Sequence, residues 1–189
     1  TKSAHIHCVV CDQYKKNVIS MGEEKWRVHN TGALWLGNLK KIKKLKKNLI
    51  FKKLSLNPKI PVALFTYHPV TLELNLSQKK QLDNIFKSFL GLNIQLLITM
   101  PGLEVNNNYI TDRIRKEVFK NPNFKFCKSV GYEMLYNLYP HLSCIIGNSS
   151  SGIIEAPFFK IPTINIGDRQ KGRFMHKSIL QTTYSSASI

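Results

Sequence analysis

Between Gly147 and Gly152 the chain reads Gly-Asn-Ser-Ser-Ser-Gly. An apolar run, Leu142 to Ile146, precedes it, and a helix-patterned segment follows. Small residues let a main chain approach a ligand closely. Free N–H groups at a helix start and serine hydroxyls donate to an anion. A plain capped turn also favours Ser and Asn, but three serines between two glycines exceed what a cap requires. The segment is therefore read as a phosphate cradle running from Asn148 through Ser149 and Ser150 to Gly152. Glu155 follows in the first turns of the helix, where the helix dipole favours a carboxylate even without function. Beside a phosphate site it could also accept two hydrogen bonds from a ribose diol. Arg169 lies in the basic loop Gly167 to Arg173 and can clamp a diphosphate bidentately; a solvated basic loop is the simpler reading. His68 ends another apolar run, before Pro69. A histidine there can donate to a phosphate or move a proton, although a lone histidine is more often structural.

These residues need elements that bring them to one edge. Pro61 to Tyr67 and Asn93 to Met100 are continuous apolar runs of the kind buried parallel strands need. Phe124 to Cys127, Leu142 to Ile146 and Pro162 to Ile166 are shorter strands. Helices are expected over Ser77 to Leu90, Tyr109 to Lys120, Tyr132 to Tyr139 and Ser151 to Phe159, with Ile110, Ile114 and Val118 at steps of four. Towards the N-terminus, Asp12 to Met21 reads as a helix with Asp12 as N-cap, and Trp26 to Thr31 as a strand stopped by Gly32. Alternating apolar strands and helices predict an α/β fold, a parallel sheet with helices on both faces. In such sheets ligands bind beyond the carboxyl ends of the strands. His68, Pro101 to Asn108, Ser129 to Gly131, Asn148 to Gly152 and Gly167 to Arg173 all fall there.

A length of 189 residues suits one domain with a full core. An apolar share of 43% argues against disorder. No apolar run reaches the length of a membrane-spanning helix, and the N-terminus lacks the pattern of a signal peptide. Cys8 and Cys11 form a C-x-x-C pair. Cys127 and Cys144 do not supply a matching second pair, so ordinary buried thiols are expected rather than a metal site. Reduced cysteines suit the cytoplasm. The net charge of +17 invites a nucleic-acid or membrane reading. Much of it sits between Lys40 and Lys53, where Leu39, Ile42, Leu45 and Leu49 suggest a basic amphipathic helix. No aromatic residues interleave to stack bases, so a solvated helix face is expected, with neither a nucleic-acid nor a membrane partner.

The stretch GNSSSGIIEAPFFKIPTINIGDRQKGR, Gly147 to Arg173, resembles the signature of hydrolysing UDP-N-acetylglucosamine 2-epimerases of the sialic-acid type. FTYHPVTLE, Phe65 to Glu73, is similar to the same family's His-Pro-Val-Thr segment. Met21-Gly22-Glu23 and Thr31-Gly32-Ala33-Leu34 fit it in order, so the resemblance covers nearly the whole chain.

The resemblance implies a Rossmann-like sheet forming the C-terminal domain of a glycosyltransferase-B arrangement. Residues 1–30 would be a crossover segment from a preceding domain, and 31–189 the nucleotide-sugar-binding domain. It implies conversion of UDP-N-acetylglucosamine and water to N-acetylmannosamine and UDP, through elimination of UDP to a glycal. Ser149, Ser150, Glu155 and Arg169 would contact UDP, Val130 would meet the uracil through its backbone, and His68 would be the catalytic residue assisting departure of UDP. No cofactor or metal is implied. The family usually has Pro-Asn where this chain has Pro101-Gly102, so that nucleotide contact is not carried over. Its catalytic carboxylates lie in the N-terminal domain, which is not in this sequence. The chain is therefore expected to be part of a longer enzyme, homo-oligomeric when complete and inactive as this piece alone. Two other readings stand beside it: a nucleotide-sugar donor domain of a glycosyltransferase, and a polyanion-binding module working through Lys40 to Lys53.

Overall fold

The computed structural model describes residues 2–70, 77–100 and 107–189, with the side chains of 107 and 108 left aside. Thr71 to Glu73 of the histidine motif, Pro101-Gly102 and Asn106 lie outside these. The chain divides into two compact units, Thr1–Lys44 and Leu45–Ile189.

In the first unit, β1 (His7–Val9) and β2 (Val28–Asn30) pair in parallel, His7 opposite Val28. Helix α1 (Asp12–Ser20) connects them, and the short α2 (Trp35–Leu39) follows. The expected N-cap role of Asp12 is corrected. Cys11 is the N-cap and makes no side-chain cap bond; Asp12 lies in the first turn, and its Oδ1 accepts from Asn30 Nδ2 at 2.9 Å. The strand expected from Trp26 begins only at Val28, because Lys25–Arg27 makes a 3₁₀ turn. Glu23 is 4% exposed. Three cationic or ionisable groups surround it: His7 Nε2 at 3.2 Å, Arg27 Nη1 at 3.3 Å and Lys2 Nζ at 3.4 Å. Burial works against its ionisation. The His7 hydrogen bond and the Lys2 ammonium outweigh that and hold the carboxyl below its ordinary range.

The second unit carries α3 (Lys47–Lys53), β3 (Val62–Thr66), α4 (Gln78–Ser88), β4 (Gln95–Thr99), α5 (Asn107–Lys120), β5 (Phe124–Cys127), α6 (Tyr132–Leu138), β6 (Cys144–Gly147), α7 (Ser150–Ile154), β7 (Thr163–Ile166) and β8 (Ile179–Thr182). Six strands form one sheet in the order β5-β4-β3-β6-β7-β8, every pair parallel. Successive residues of a strand face opposite sides, and β3 shows why both sides must be apolar. Ala63 and Phe65 join Leu82, Ile85, Phe86, Ile110 and Ile114 of α4 and α5. Val62 and Leu64 join Ile50 and Phe51 of α3 and Leu138 of α6. Phe65 meets Phe86 and Phe89 edge-to-face, which adds geometry to area. The expected Rossmann-like α/β sheet, covered on both faces, is the fold found.

Three expectations are corrected. The basic segment is not one amphipathic helix from Leu39. The chain leaves α2, crosses the boundary between units, and only Lys47–Lys53 is helical, burying Ile50 and Phe51 and leaving Leu49 exposed. Helix α7 stops at Ile154, not Phe159, because Pro157 disfavours helical geometry in the residue before it and its ring collides with the carbonyl a turn back. Strand β8 carried no strong apolar run and was not expected. Cys8, read as a buried thiol, is exposed.

Candidate functional site

The strand order places the site. From β3 the chain winds outward through β4 to β5, then returns to lay β6 against the other side of β3. Connections therefore leave β3 and β6 in opposite directions, and a crevice opens beyond their carboxyl ends. Gly147 ends β6 at this point with φ +128°. A Cβ there would stand 2.0 Å from the Thr66 carbonyl oxygen, so no other residue fits beside the end of β3.

A cavity of about 320 Å³ occupies the crevice. Thr66 and Thr99, the last residues of β3 and β4, line its floor and share a hydroxyl–hydroxyl hydrogen bond. Lys128 to Tyr132, following β5, line one side together with Tyr136 of α6. Ser149, Ser151 and Glu155 line another. Among the expected residues, the fold thus brings Val130, Ser149 and Glu155 to one cavity. Ser149 caps α7, its Oγ accepting from Ser151 N and standing 3.0 Å from Ser151 Oγ. Ser151, one residue beyond the expected contacts, is the second serine lining the cavity; Ser150 is not among the lining residues.

Asn148 and Gly152 have other duties than the cradle expected of them. Asn148 has no exposed surface. Its Oδ1 accepts from His68 N at 2.7 Å and its Nδ2 donates to His68 O at 2.8 Å. Its own carbonyl accepts from Arg169 Nη1 at 3.0 Å and Gln170 Nε2 at 2.8 Å. One buried amide thus ties together the loops after β3, β6 and β7, residues 80 and 21 positions apart in sequence. His68 and Arg169 meet at this hub rather than on the cavity wall. Gly152 faces the sheet: a Cβ would stand 2.8 Å from Thr163 Cγ2, and its carbonyl accepts from Thr163 Oγ1. Glycine is needed there for close helix–strand packing.

Glu155 is the carboxylate of the cavity. Burial raises its pKa, against the hydrogen bond that Tyr139 donates to Oε2 at 2.7 Å. Tyr139 is fully buried; burial first, and Glu155 second, push its phenol far above the ordinary tyrosine range, so it is a permanent donor. Burial and the same carboxylate also raise Tyr136. The site therefore offers hydroxyls on one wall, one carboxylate, and one cation, Lys128, among its described lining residues. Such a set can hold an anion and accept from a diol. Thr66, Thr99, Lys128, Tyr136 and Tyr139 were not singled out from sequence. Position at a strand end was a usable signal for both threonines; nothing local marks Tyr139, which reaches Glu155 across 16 residues.

A family model described as UDP-N-acetylglucosamine 2-epimerase matches residues 1–189. The chain belongs to the UDP-N-acetylglucosamine 2-epimerase family. A curated relative from Campylobacter jejuni, GDP/UDP-N,N'-diacetylbacillosamine 2-epimerase (hydrolyzing), is 36% identical over 184 residues, covering 96% of this chain and 48% of the relative. The Neisseria meningitidis UDP-N-acetylglucosamine 2-epimerase is 31% identical over 196 residues, covering 100% of this chain and 49% of its own. The Methanocaldococcus jannaschii UDP-GlcNAc 2-epimerase, solved in complex with UDP-GlcNAc and UDP, superposes with a TM-score of 0.71 at 16% identity, over 97% of this chain and 52% of that one. This 2-epimerase family member therefore spans about half the length of the relatives it matches, and shares with the solved one the parallel-sheet fold described above.

Proposed function

We propose that this chain is the UDP-binding, C-terminal half of a hydrolysing UDP-N-acetylglucosamine 2-epimerase, residues 1–30 forming the crossover from a preceding catalytic domain and 31–189 the nucleotide-sugar domain. The whole enzyme would eliminate UDP from UDP-N-acetylglucosamine and add water to release N-acetylmannosamine, feeding sialic-acid-type sugar synthesis in the cytoplasm, as a homo-oligomer. The observation that carries the reading is the meeting of Val130, Ser149 and Glu155 in one cavity at the strand-order reversal, in a chain of this family.

In this reading the Ser149 and Ser151 hydroxyls, both at the cavity, and nearby N–H groups hold phosphate oxygens. Val130 meets the base through its main chain. Glu155 accepts from the ribose diol. Arg169 clamps the diphosphate, and His68 donates a proton or hydrogen bond to the departing UDP. Removal of the sugar's C2 proton needs a further base, which we assign to the preceding domain, so this chain alone binds without turnover. The contribution of the cavity is a set of fixed donors aimed at the charge that develops on the departing UDP.

Calorimetry with UDP tests the site. Saturable heat from the wild type, weakened by Glu155→Ala and by Arg169→Ala, is expected; absence of heat from the wild type, or binding by both variants as tight as the wild type's, sinks it. For the complete enzyme, release of free N-acetylmannosamine from UDP-N-acetylglucosamine is expected, and transfer to an acceptor would refute epimerisation. The Campylobacter relative acts on a nucleotide-linked diacetamido sugar, so the assay should offer that substrate and GDP beside UDP.

A further inference from the structure

Tyr139 does not line the cavity, yet its hydroxyl is bound to the carboxylate that does. Its ring is fixed by Phe159 at 4.9 Å and Tyr136 at 5.8 Å between centroids, with no surface exposed. Ser151 is the hydroxyl's second neighbour, and Ser151 in turn stands 3.0 Å from Ser149. A continuous polar chain therefore runs from Glu155 through the buried Tyr139 hydroxyl and Ser151 to the helix cap Ser149. A carboxylate has two acceptor oxygens. One of these, Oε2, is occupied by Tyr139.

We infer that Tyr139 is a positioning residue for Glu155: its hydroxyl holds Oε2 and leaves Oε1 to accept from a ligand in the cavity. The inference deepens the UDP reading of this site and rests on it for the ligand's identity. The physical basis is the fixed donor. A partly buried carboxylate without a partner either protonates or turns towards water, and either loses the diol contact. Among the described residues around the cavity, the titratable groups beside Glu155 are Tyr132, Tyr136 and Tyr139 on the α6 side and Lys128 after β5; Ser149 and Ser151 at the start of α7 do not titrate in this range.

Tyr139→Phe keeps the ring and removes the donor. The first measurement is a carbon-detected NMR titration of the Glu155 carboxyl in the 189-residue chain without ligand. Tyr139→Phe should raise the Glu155 pKa, since the lost bond favoured the ionised form; an unchanged value overturns the inference. The second is calorimetry with UDP across pH, in wild type, Tyr139→Phe, Glu155→Gln and the double variant. Tyr139→Phe should weaken UDP about tenfold and move the acid-side loss of binding to higher pH. In the Glu155→Gln background the pH shift should vanish. Equal weakening in both backgrounds with no pH shift would mean that Tyr139 only supports the fold, and would overturn the inference. A raised Glu155 pKa together with no UDP heat from any variant would overturn the nucleotide reading while sustaining the hold of Tyr139 on Glu155.

Discussion

Glu23 in the first unit and Glu155 in the second are both carboxylates withdrawn from water, and their surroundings push them in opposite directions. Glu23 has His7, Arg27 and Lys2 within 3.4 Å and is held below the ordinary carboxyl range. Glu155 has one neutral donor, Tyr139, and burial raises it. The difference separates a carboxylate committed to structure from one kept available. Cations on several sides make the charge of Glu23 favourable to folding. A single phenol leaves Glu155 half its acceptors and a charge that the fold alone does not reward. Asn148 belongs with Glu23: both ends of its amide are engaged by His68, so it organises the site without facing a ligand.

The largest effect expected is Asn148→Asp. The change replaces a donor to the His68 carbonyl with an acceptor in a fully buried place. We expect a loss of about 3 kcal/mol in denaturant unfolding. A loss near zero would place Asn148 on the ligand side of the contrast. Next is Glu155→Gln, which keeps an acceptor for Tyr139 and removes the charge. UDP should bind about tenfold weaker while the melting temperature holds or rises. A melting temperature that falls in step with affinity would break the comparison.

Glu23→Gln should behave in the opposite way, lowering the stability of the first unit. Both tryptophans, Trp26 and Trp35, lie in that unit, so their fluorescence reports on it alone. The smallest effect is in pH. Because the Glu23 pKa is lowered on folding, its stabilisation is present above the ordinary carboxyl range, about pH 4, and disappears as pH falls through the lower folded value. Because that of Glu155 is raised, its protonated form is the one the fold favours. That contribution is present below the ordinary range and is lost as pH rises through the raised value. Acid titration followed by tryptophan fluorescence, and by amide exchange at α7, should therefore give slopes of opposite sign. Slopes of the same sign would mean that the two carboxylates share one role.

Much of the sheet was legible. Phe124–Cys127 begins and ends at the expected residues, and Val62–Thr66 and Gln95–Thr99 each lie within two residues of the expected bounds. The latter two are interior strands buried on both faces, so their residues are almost all apolar, and that leaves a mark in sequence. β8 is a sheet edge with half-exposed residues, so it needs no such run and left none. Ser149, Glu155 and Val130 were legible because motif and strand end coincide. Ser151 in place of Ser150 at the cavity was not, since which hydroxyl faces inward depends on the turn from Gly147 into α7.

The sequence by itself determined the alternation of buried strands and helices, the glycine-bounded serine turn, and membership in the family. Local spacing and burial demand the first two and motif resemblance carries the third, and all can be read one segment at a time. Only the tertiary structure decided that Asn148 faces His68 rather than a ligand, that Gly152 serves packing against Thr163, and that Tyr139 governs Glu155. Each of those pairings joins residues from different elements. Strand order and side-chain direction set them, and neither is encoded in the residues' own neighbours.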